Sequence, residues 1–418
     1  MNRYSLCLLL PFLFFVAACK GSSEEQTETP EQPKDSVGEY GAHINLAEPL
    51  ATPSSTKESK VVGWPEGKTP IVAAGYRVIK FAGGLQHPRW IYVAQNGDVF
   101  VAESQTEGTG ANRITLFRDS NGDGVADNQS VFLEGLNKPL GMLVMGNSFL
   151  VANTDGVLKY PYKLGDAKIT TAGEKILSLP AGGYNNHWTR NLLMKPDSSK
   201  IYVSVGSGSN VGEHGMENER RRANILEINP DGSGERVFAS GLRNPVGMAW
   251  EPNTGKLWTA VNERDELGDL LVPDYITSVE ENGFYGWPYA YWGKNPDPRM
   301  EGKREDLVAE SIVPDFALGA HTASLGLAFG SSGKFQGGAY VGQHGSWNRS
   351  KLVGYKVLFV PFENGMPTGE YKDFLSGFIA DEENAEVYGR PVGVAFAKQG
   401  YMLVADDAGN TIWAVLPQ

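Results

Sequence analysis

A phrase built on Gly-Leu, a proline and a second glycine recurs along this chain, and that repetition constrains the fold more than any other feature. Phe81-Ala-Gly-Gly-Leu85 leads into HPRWIYVAQNGDVFVAES, and Phe132-Leu-Glu-Gly-Leu136 leads into NKPLGMLVMGNSFLVANT. Phe238-Ala-Ser-Gly-Leu242 leads into RNPVGMAWEPNTGKLWTAVN, and Phe374-Leu-Ser-Gly-Phe378, after an insertion, into GRPVGVAFAKQGYMLVADD. Looser copies begin at Asn185 and His321, and the markers Gly84, Gly135, Gly183, Gly241, Gly319 and Gly377 lie 48 to 78 residues apart. Each copy reads as an apolar strand, a turn around Gly, Asn or Asp, and a second apolar strand. Strand-built repeats of about 40–50 residues indicate one propeller blade per repeat, because stacked copies bury faces that a lone copy cannot. The sequence therefore predicts an all-β fold, a six-bladed β-propeller over residues 71–418.

Composition narrows the function. The net charge of −12 and the absence of a long Lys/Arg run exclude a nucleic-acid partner, whose binding rests on cationic side chains. Two cysteines in 418 residues leave no disulfide framework and no Cys-rich metal site. Residues 1–18 have the layout of a secretory signal peptide, and Val16-Ala17-Ala18-Cys19 resembles the lipobox of bacterial lipoproteins. That resemblance implies an exported chain held to a membrane by lipid on Cys19, on the periplasmic side or the surface of a bacterial cell envelope. Residues 20–38 are polar, acidic and proline-containing, which predicts a flexible tether. Residues 39–70 complete the 19–70 lead-in and are unassigned: an edge strand or a loose segment both fit.

Propeller geometry concentrates function. The loop entering the innermost strand and the loop leaving the second strand open on the same face, so polar residues at those places converge on the channel mouth. The entering loops carry His87 and Arg89, Asn137 and Lys138, Asn186 and His187, Arg243 and Asn244, His321, and Arg390. The exits carry Glu103, Asn153, Asn210, Asn262-Glu263-Arg264-Asp265, His344 to Arg349, and Asp406-Asp407. Local Arg and His in an acidic chain point to an anionic ligand.

Asn186-His187-Trp-Thr-Arg, Gly241-Leu-Arg243-Asn244-Pro-Val-Gly247 and Asn282-Gly-Phe-Tyr-Gly-Trp-Pro288 resemble the glucose/sorbosone dehydrogenase family, six-bladed propellers that use pyrroloquinoline quinone (PQQ). His344-Gly-Ser-Trp-Asn-Arg349 and Gly389-Arg-Pro-Val-Gly393 resemble its sorbosone and pyranose dehydrogenase branch. The resemblance implies oxidation of a sugar or related polyol or aldehyde, with His187 as general base for the substrate hydroxyl and Arg243 stabilising developing charge. It implies cofactor contacts from Asn244 and Arg390, and Arg89, His344 and Arg349 are further candidates for the PQQ carboxylates, which suit Arg forks. It also implies a Ca²⁺ beside the cofactor, for which Asn262, Glu263 and Asp265 offer hard oxygens. The chain departs from the glucose-oxidising branch at Gly206-Ser207, where that branch has Gly-Asp, and at His344-Gly345, near the place of a cofactor-binding Lys. No Cys-x-x-Cys-His occurs, so electrons must leave to an external acceptor.

Two further features stand apart. Asp119, Asn121, Asp123 and Asp127 match the first part of an EF-hand-like loop, but position twelve is Ser130, so a second Ca²⁺ site and a plain Asp/Gly hairpin both fit. The aromatic run Phe284 to Trp292 suits blade packing or a sugar site. Competing functions for such a propeller are a Ca²⁺-dependent lactonase-type hydrolase and a non-catalytic module binding carbohydrate or protein.

Overall fold

Strands such as Val99–Glu103 and Ile201–Val205 are buried at every position, which requires a cover on both faces. The structure, a computed structural model describing Met1 and residues 38–105 and 110–418, supplies that cover by stacking sheets around a ring. The signal peptide, Cys19 and the tether expected before residue 38 lie outside the described residues.

The chain is a six-bladed β-propeller, each blade an antiparallel four-stranded meander with its first strand innermost. Blade 1 is Pro88–Val93, Val99–Glu103, Arg113–Arg118 and Asn128–Leu133. Blade 2 runs from Met142–Met145 to Glu174–Ser178, blade 3 from Arg190–Met194 to Arg236–Ser240, and blade 4 from Pro245–Trp250 to Phe316–Ala320. Blade 5 runs from Ser324–Phe329 to Lys372–Ser376. Blade 6 joins Pro391–Phe396, Met402–Asp406 and Thr411–Pro417 to the early strand Tyr76–Gly83, whose pairing with Thr411–Pro417 closes the ring.

Side-chain alternation divides each blade between two seams. Phe100 and Ala102 pack toward blade 2, with Phe132 and Phe149, while Val99 and Val101 pack toward blade 6, with Leu403 and Ile412. Comparable apolar seams fill the other four blade junctions.

The repeated glycines have two separate uses. All six markers have positive φ, from 68° to 87°, where the chain turns at the end of an outer strand toward the next blade. The second glycine of the phrase lies on the innermost strand and lets neighbouring backbones touch. A Cβ on Gly326 would lie 2.1 Å from the Val392 carbonyl oxygen, and one on Gly247 would lie 2.6 Å from that of Leu325. In blade 3 this place is held by Asn191, whose Nδ2 donates to the Val246 carbonyl at 2.8 Å.

Residues 39–70 pack onto the propeller. Tyr40–Gly41 adds a strand to blade 4, and Ile71–Val72 adds one to blade 5. Between them the segment crosses the loops at the mouth. Leu50 N donates to Leu267 O, Lys57 N to Trp347 O, and Trp64 Nε1 to the buried Asp406 carboxylate at 2.7 Å. The long interval before Gly319 is a blade 4 detour that returns to the mouth, where Trp287 Nε1 donates to Asn210 O at 2.8 Å and Asp297 pairs with the buried Arg264.

Replacing Gly326 by Ala is expected to lower the unfolding free energy by about 3 kcal/mol, through forced separation of the inner strands. Gly182→Ala, with open space around its Cβ position, should stay within about 0.5 kcal/mol of the parent. Urea unfolding of both variants checks this contrast.

Candidate functional site

Blades 3 and 4 place His187 and Arg243 side by side at the mouth. His187 Nδ1 lies 3.0 Å from the Ser207 carbonyl oxygen and 2.9 Å from Ser207 Oγ, which itself donates to Ser209 O at 2.6 Å. A carbonyl only accepts, so Nδ1 carries the proton and Nε2 presents a lone pair with no hydrogen bond to any described residue. Burial, then the charge of Arg243, holds the His187 pKa well below 6.5, so the ring is neutral. Gly206 makes this packing possible: a Cβ there would lie 2.3 Å from Asn244 Oδ1 and 2.6 Å from His187 Cβ.

Arg243 is fully buried, and protein oxygens take every one of its donors. Nε donates to Asn210 O, Nη1 to the carbonyls of Asn262 and Glu263, and Nη2 to Asn210 Oδ1 and Asp265 Oδ2. Asp265 Oδ1 accepts from His321 Nδ1 at 3.2 Å, and His321 Nε2 donates to Gly268 O at 2.8 Å. Burial disfavours charge on His321, but the Asp265 contact outweighs it and raises the pKa, so both ring nitrogens carry protons. Burial likewise opposes charge on Asp265, yet His321 and Arg243 hold its pKa below the usual value.

Blades 5, 6 and 1 supply a second cluster. Arg89 Nη1 pairs with Asp407 Oδ2 at 2.5 Å, and His344 Nε2 lies 2.9 Å from Asp407 Oδ1. Burial, reinforced by Arg390, lowers the His344 pKa to about 4, so this ring is neutral with its proton on Nε2, facing the carboxylate. Arg390 donates from Nε to His344 O and from Nη2 to Gly345 O, which leaves Nη1 unused among the described residues. Arg89 Nε is buried with no partner among the described residues, as is Asn244 Oδ1. Trp188 ties the clusters together: it follows His187 in the chain, and the Arg89 guanidinium lies 5.4 Å from its ring centroid.

The structure thus brings together His187, Arg243, Asn244, Arg89, His344 and Arg390. Arg349 does not join them: its donors go to Glu39 at 2.8 Å and to Ala320 O, which fastens the lead-in to blade 4. The expected Ca²⁺ ligands Asn262, Glu263 and Asp265 turn their oxygens to another use. The first two give carbonyls to Arg243, Asp265 divides its carboxylate between Arg243 and His321, and the Glu263 carboxyl is pushed by burial to about 7. A dication gains little from oxygens already facing a guanidinium and an imidazolium, so this set does not fit Ca²⁺. The Asp119–Asp127 loop also satisfies itself. Asp119 accepts from the Gly122 and Gly124 amides, Asp123 from Val125 N, and Asp127 from Ser120 N, which is the plain hairpin. Among the described residues, no three His, Cys, Asp or Glu side chains gather as a metal site.

Sequence patterns gave no signal for Ser207 as the partner of His187, or for Arg190 as the peg of its loop. Arg190 is buried and donates to the His187, Thr189 and Pro180 carbonyls. A donor to three backbone carbonyls leaves no motif in the sequence.

These features define a six-bladed propeller with a basic and imidazole-bearing site at the hub. More particularly, the TrAA12-like family model matches residues 70–289 and 293–418, and the chain belongs to that family. An uncharacterized protein of Borreliella burgdorferi is 28% identical over 361 residues, covering 82% of this chain and 90% of that one. A pyrroloquinoline quinone-dependent pyranose dehydrogenase of Coprinopsis cinerea is 25% identical over 405 residues, and the match spans 82% of this chain but only 54% of that enzyme's length. In structure, the PQQ domain of the Coprinopsis cinerea pyranose dehydrogenase in its holo form matches with a TM-score of 0.71 at 22% identity, covering 85% of this chain and 98% of that domain. A Trichoderma reesei carbohydrate-active enzyme of family AA12, in its calcium structure, gives 0.72 at 19% identity, covering 86% and 98%. The structural likenesses speak for the fold.

Three histidines of the mouth in three protonation states make a direct check. Nitrogen-15 NMR of the imidazoles at pH 6 should find His187 neutral with the proton on Nδ1, His344 neutral with it on Nε2, and His321 doubly protonated. Asp265→Asn should return His321 to the neutral form.

Proposed function

We propose that this chain is a PQQ-dependent dehydrogenase that oxidises a sugar or related polyol or aldehyde, with His187 as the general base. The observation that carries the reading is a half-buried, neutral imidazole with an open Nε2 beside an arginine-rich mouth. The family membership and the named activity of the Coprinopsis relative support it.

The donor set suits a flat polyanion. Among the described residues, Arg89 has a buried Nε without a partner, Arg390 has Nη1 in hand, and the Asn244 amide is buried with an unused oxygen. These three residues would hold PQQ; a carboxylate would complete the hydrogen bonding of the arginines. When bound, PQQ supplies a two-electron acceptor for the hydride leaving the substrate C–H.

The chain's own part is the proton. His187 Nε2 takes it from the substrate hydroxyl as the carbonyl forms. Nδ1–H stays on Ser207, which keeps the ring oriented and shares the new positive charge. Arg243, with its donors already engaged, acts through its charge: it keeps His187 neutral before the transfer and favours negative charge developing on the substrate oxygen. Electrons then pass to an external acceptor. Export and anchoring through lipid on Cys19 belong to the same proposal and rest on the Val16–Cys19 sequence.

Purified protein given PQQ should reduce an artificial dye with aldoses or related sugars, in parallel arms with Ca²⁺ and with a chelator. His187→Ala should lower kcat by about 10²–10⁴-fold, the usual contribution of a general base. The base works only when unprotonated, and its pKa is depressed. The profile of kcat/KM should therefore stay flat down to pH 6.5 and fall only in more acid solution. No turnover with any sugar, or a fall already centred at pH 6.5 or above, contradicts the reading.

A further inference from the structure

Beside His187 lies a pocket of about 310 Å³ that the mechanism does not use. Its walls are the two loops that hold His187 and its partner Ser207, 182–184 leading to His187 and 208–209 leaving Ser207, joined by the Asn186 N to Gly208 O hydrogen bond at 2.9 Å. His187 itself does not line it. The volume is at the small end for ligand pockets, which span about 300–1,000 Å³, and suits a single ring.

One wall is aromatic. Tyr184 is 55% exposed although its ring is large and apolar, and it is propped on the His214 imidazole with centroids 4.4 Å apart at 54°. An exposed aromatic ring resting on a second ring presents an apolar face of the kind a sugar's C–H face packs against. The remaining lining is polar. Asn218 spends Nδ2 on the His214 carbonyl and keeps Oδ1 unused, and neither Tyr184 Oη nor the His214 ring nitrogens bond any described residue. Glu219 forms the floor, held by Gly208 N, and Glu213 and Glu217 lie close by in the chain. Arg222 stands behind the same wall, donating to Asn185 Oδ1 and Gly182 O, and its charge offsets that of Glu219. An apolar face beside donors and acceptors that bond no described residue, with the charges of Arg222 and Glu219 offsetting one another, matches an uncharged pyranose ring.

We infer that the Tyr184–His214 pocket is a subsite for a neutral sugar ring other than the one oxidised, which makes the preferred substrate an oligosaccharide. The inference rests on reading the neighbouring site as a sugar dehydrogenase. Binding energy gathered on a ring remote from the chemistry is available to orient the reacting one.

The test uses the full chain with cellotriose and maltotriose as multi-ring probes and glucose as the single-ring comparison. Saturation-transfer difference NMR, which needs no cofactor, should show transfer to one of the trisaccharides in the parent and in Tyr184→Phe. Tyr184→Ala should lose it while unfolding at the parent's temperature. In dye reduction with PQQ, Tyr184→Ala should raise KM for that trisaccharide about three- to tenfold and leave the glucose parameters unchanged. Equal NMR transfer in the parent and Tyr184→Ala, no transfer to either trisaccharide, or an equal KM change for glucose overturns the subsite. Transfer that depends on Tyr184 in a protein that oxidises no sugar supports the subsite and overturns only the dehydrogenase reading.

Discussion

Burying the Arg243 guanidinium is the interaction on which the mouth of this propeller depends. A buried cation demands acceptors for all its donors, and satisfying five of them recruits Asn210 from the loop after Val205 and the backbone of Asn262 and Glu263. It also draws in Asp265, which in turn fixes His321. The same charge acts outward on His187, where it adds to burial in keeping the imidazole neutral. One residue thus shapes the loop cluster and contributes to the neutral state of the neighbouring imidazole.

Such precision requires a rigid support. Close approach of the inner strands at Gly247 and Gly326, and apolar seams at every blade junction, keep six sheets from shifting relative to one another. The lead-in adds a brace on the mouth side. A Cβ on Gly268 would lie 2.6 Å from Thr52 O, and Gly268 gives its own carbonyl to His321. The packing of residues 48–64 is therefore connected, through His321 and Asp265, to the arginine beside His187. The substrate-side loops are held as well, by Arg190 under His187 and by Glu219 under Gly208 and Ser209.

The ring of six blades was legible in the chain because repetition and two-residue alternation are written in side-chain types. The hub residues His187, Arg243, Asn244, Arg89, His344 and Arg390 were legible because the repeat fixes which loops open on the mouth. What each does there was less so. Whether Asp265 faces a metal or a guanidinium depends on neighbours distant in sequence, and oxygen-rich spacing is the same in both cases. Arg349 sits in the same motif as His344 yet turns away to Glu39, a residue of the unassigned lead-in. The role of Ser207 as hydrogen-bond partner needs the loop's path, which glycines on either side leave open in sequence. Asp119 to Asp127 shows the converse: a cation-loop pattern whose carboxylates accept from the loop's own backbone amides and from Tyr401.

The separation of labour between holding the cofactor and moving the proton can be measured directly. Spectroscopic titration of the His187→Ala protein with PQQ, alongside the parent, isolates binding from turnover. If Arg89, Arg390 and Asn244 grip the cofactor while His187 only accepts a proton, both proteins take up one PQQ per chain with affinities within about threefold, and only the parent oxidises sugar. Loss of PQQ uptake in the variant, or full turnover without the imidazole, would contradict it.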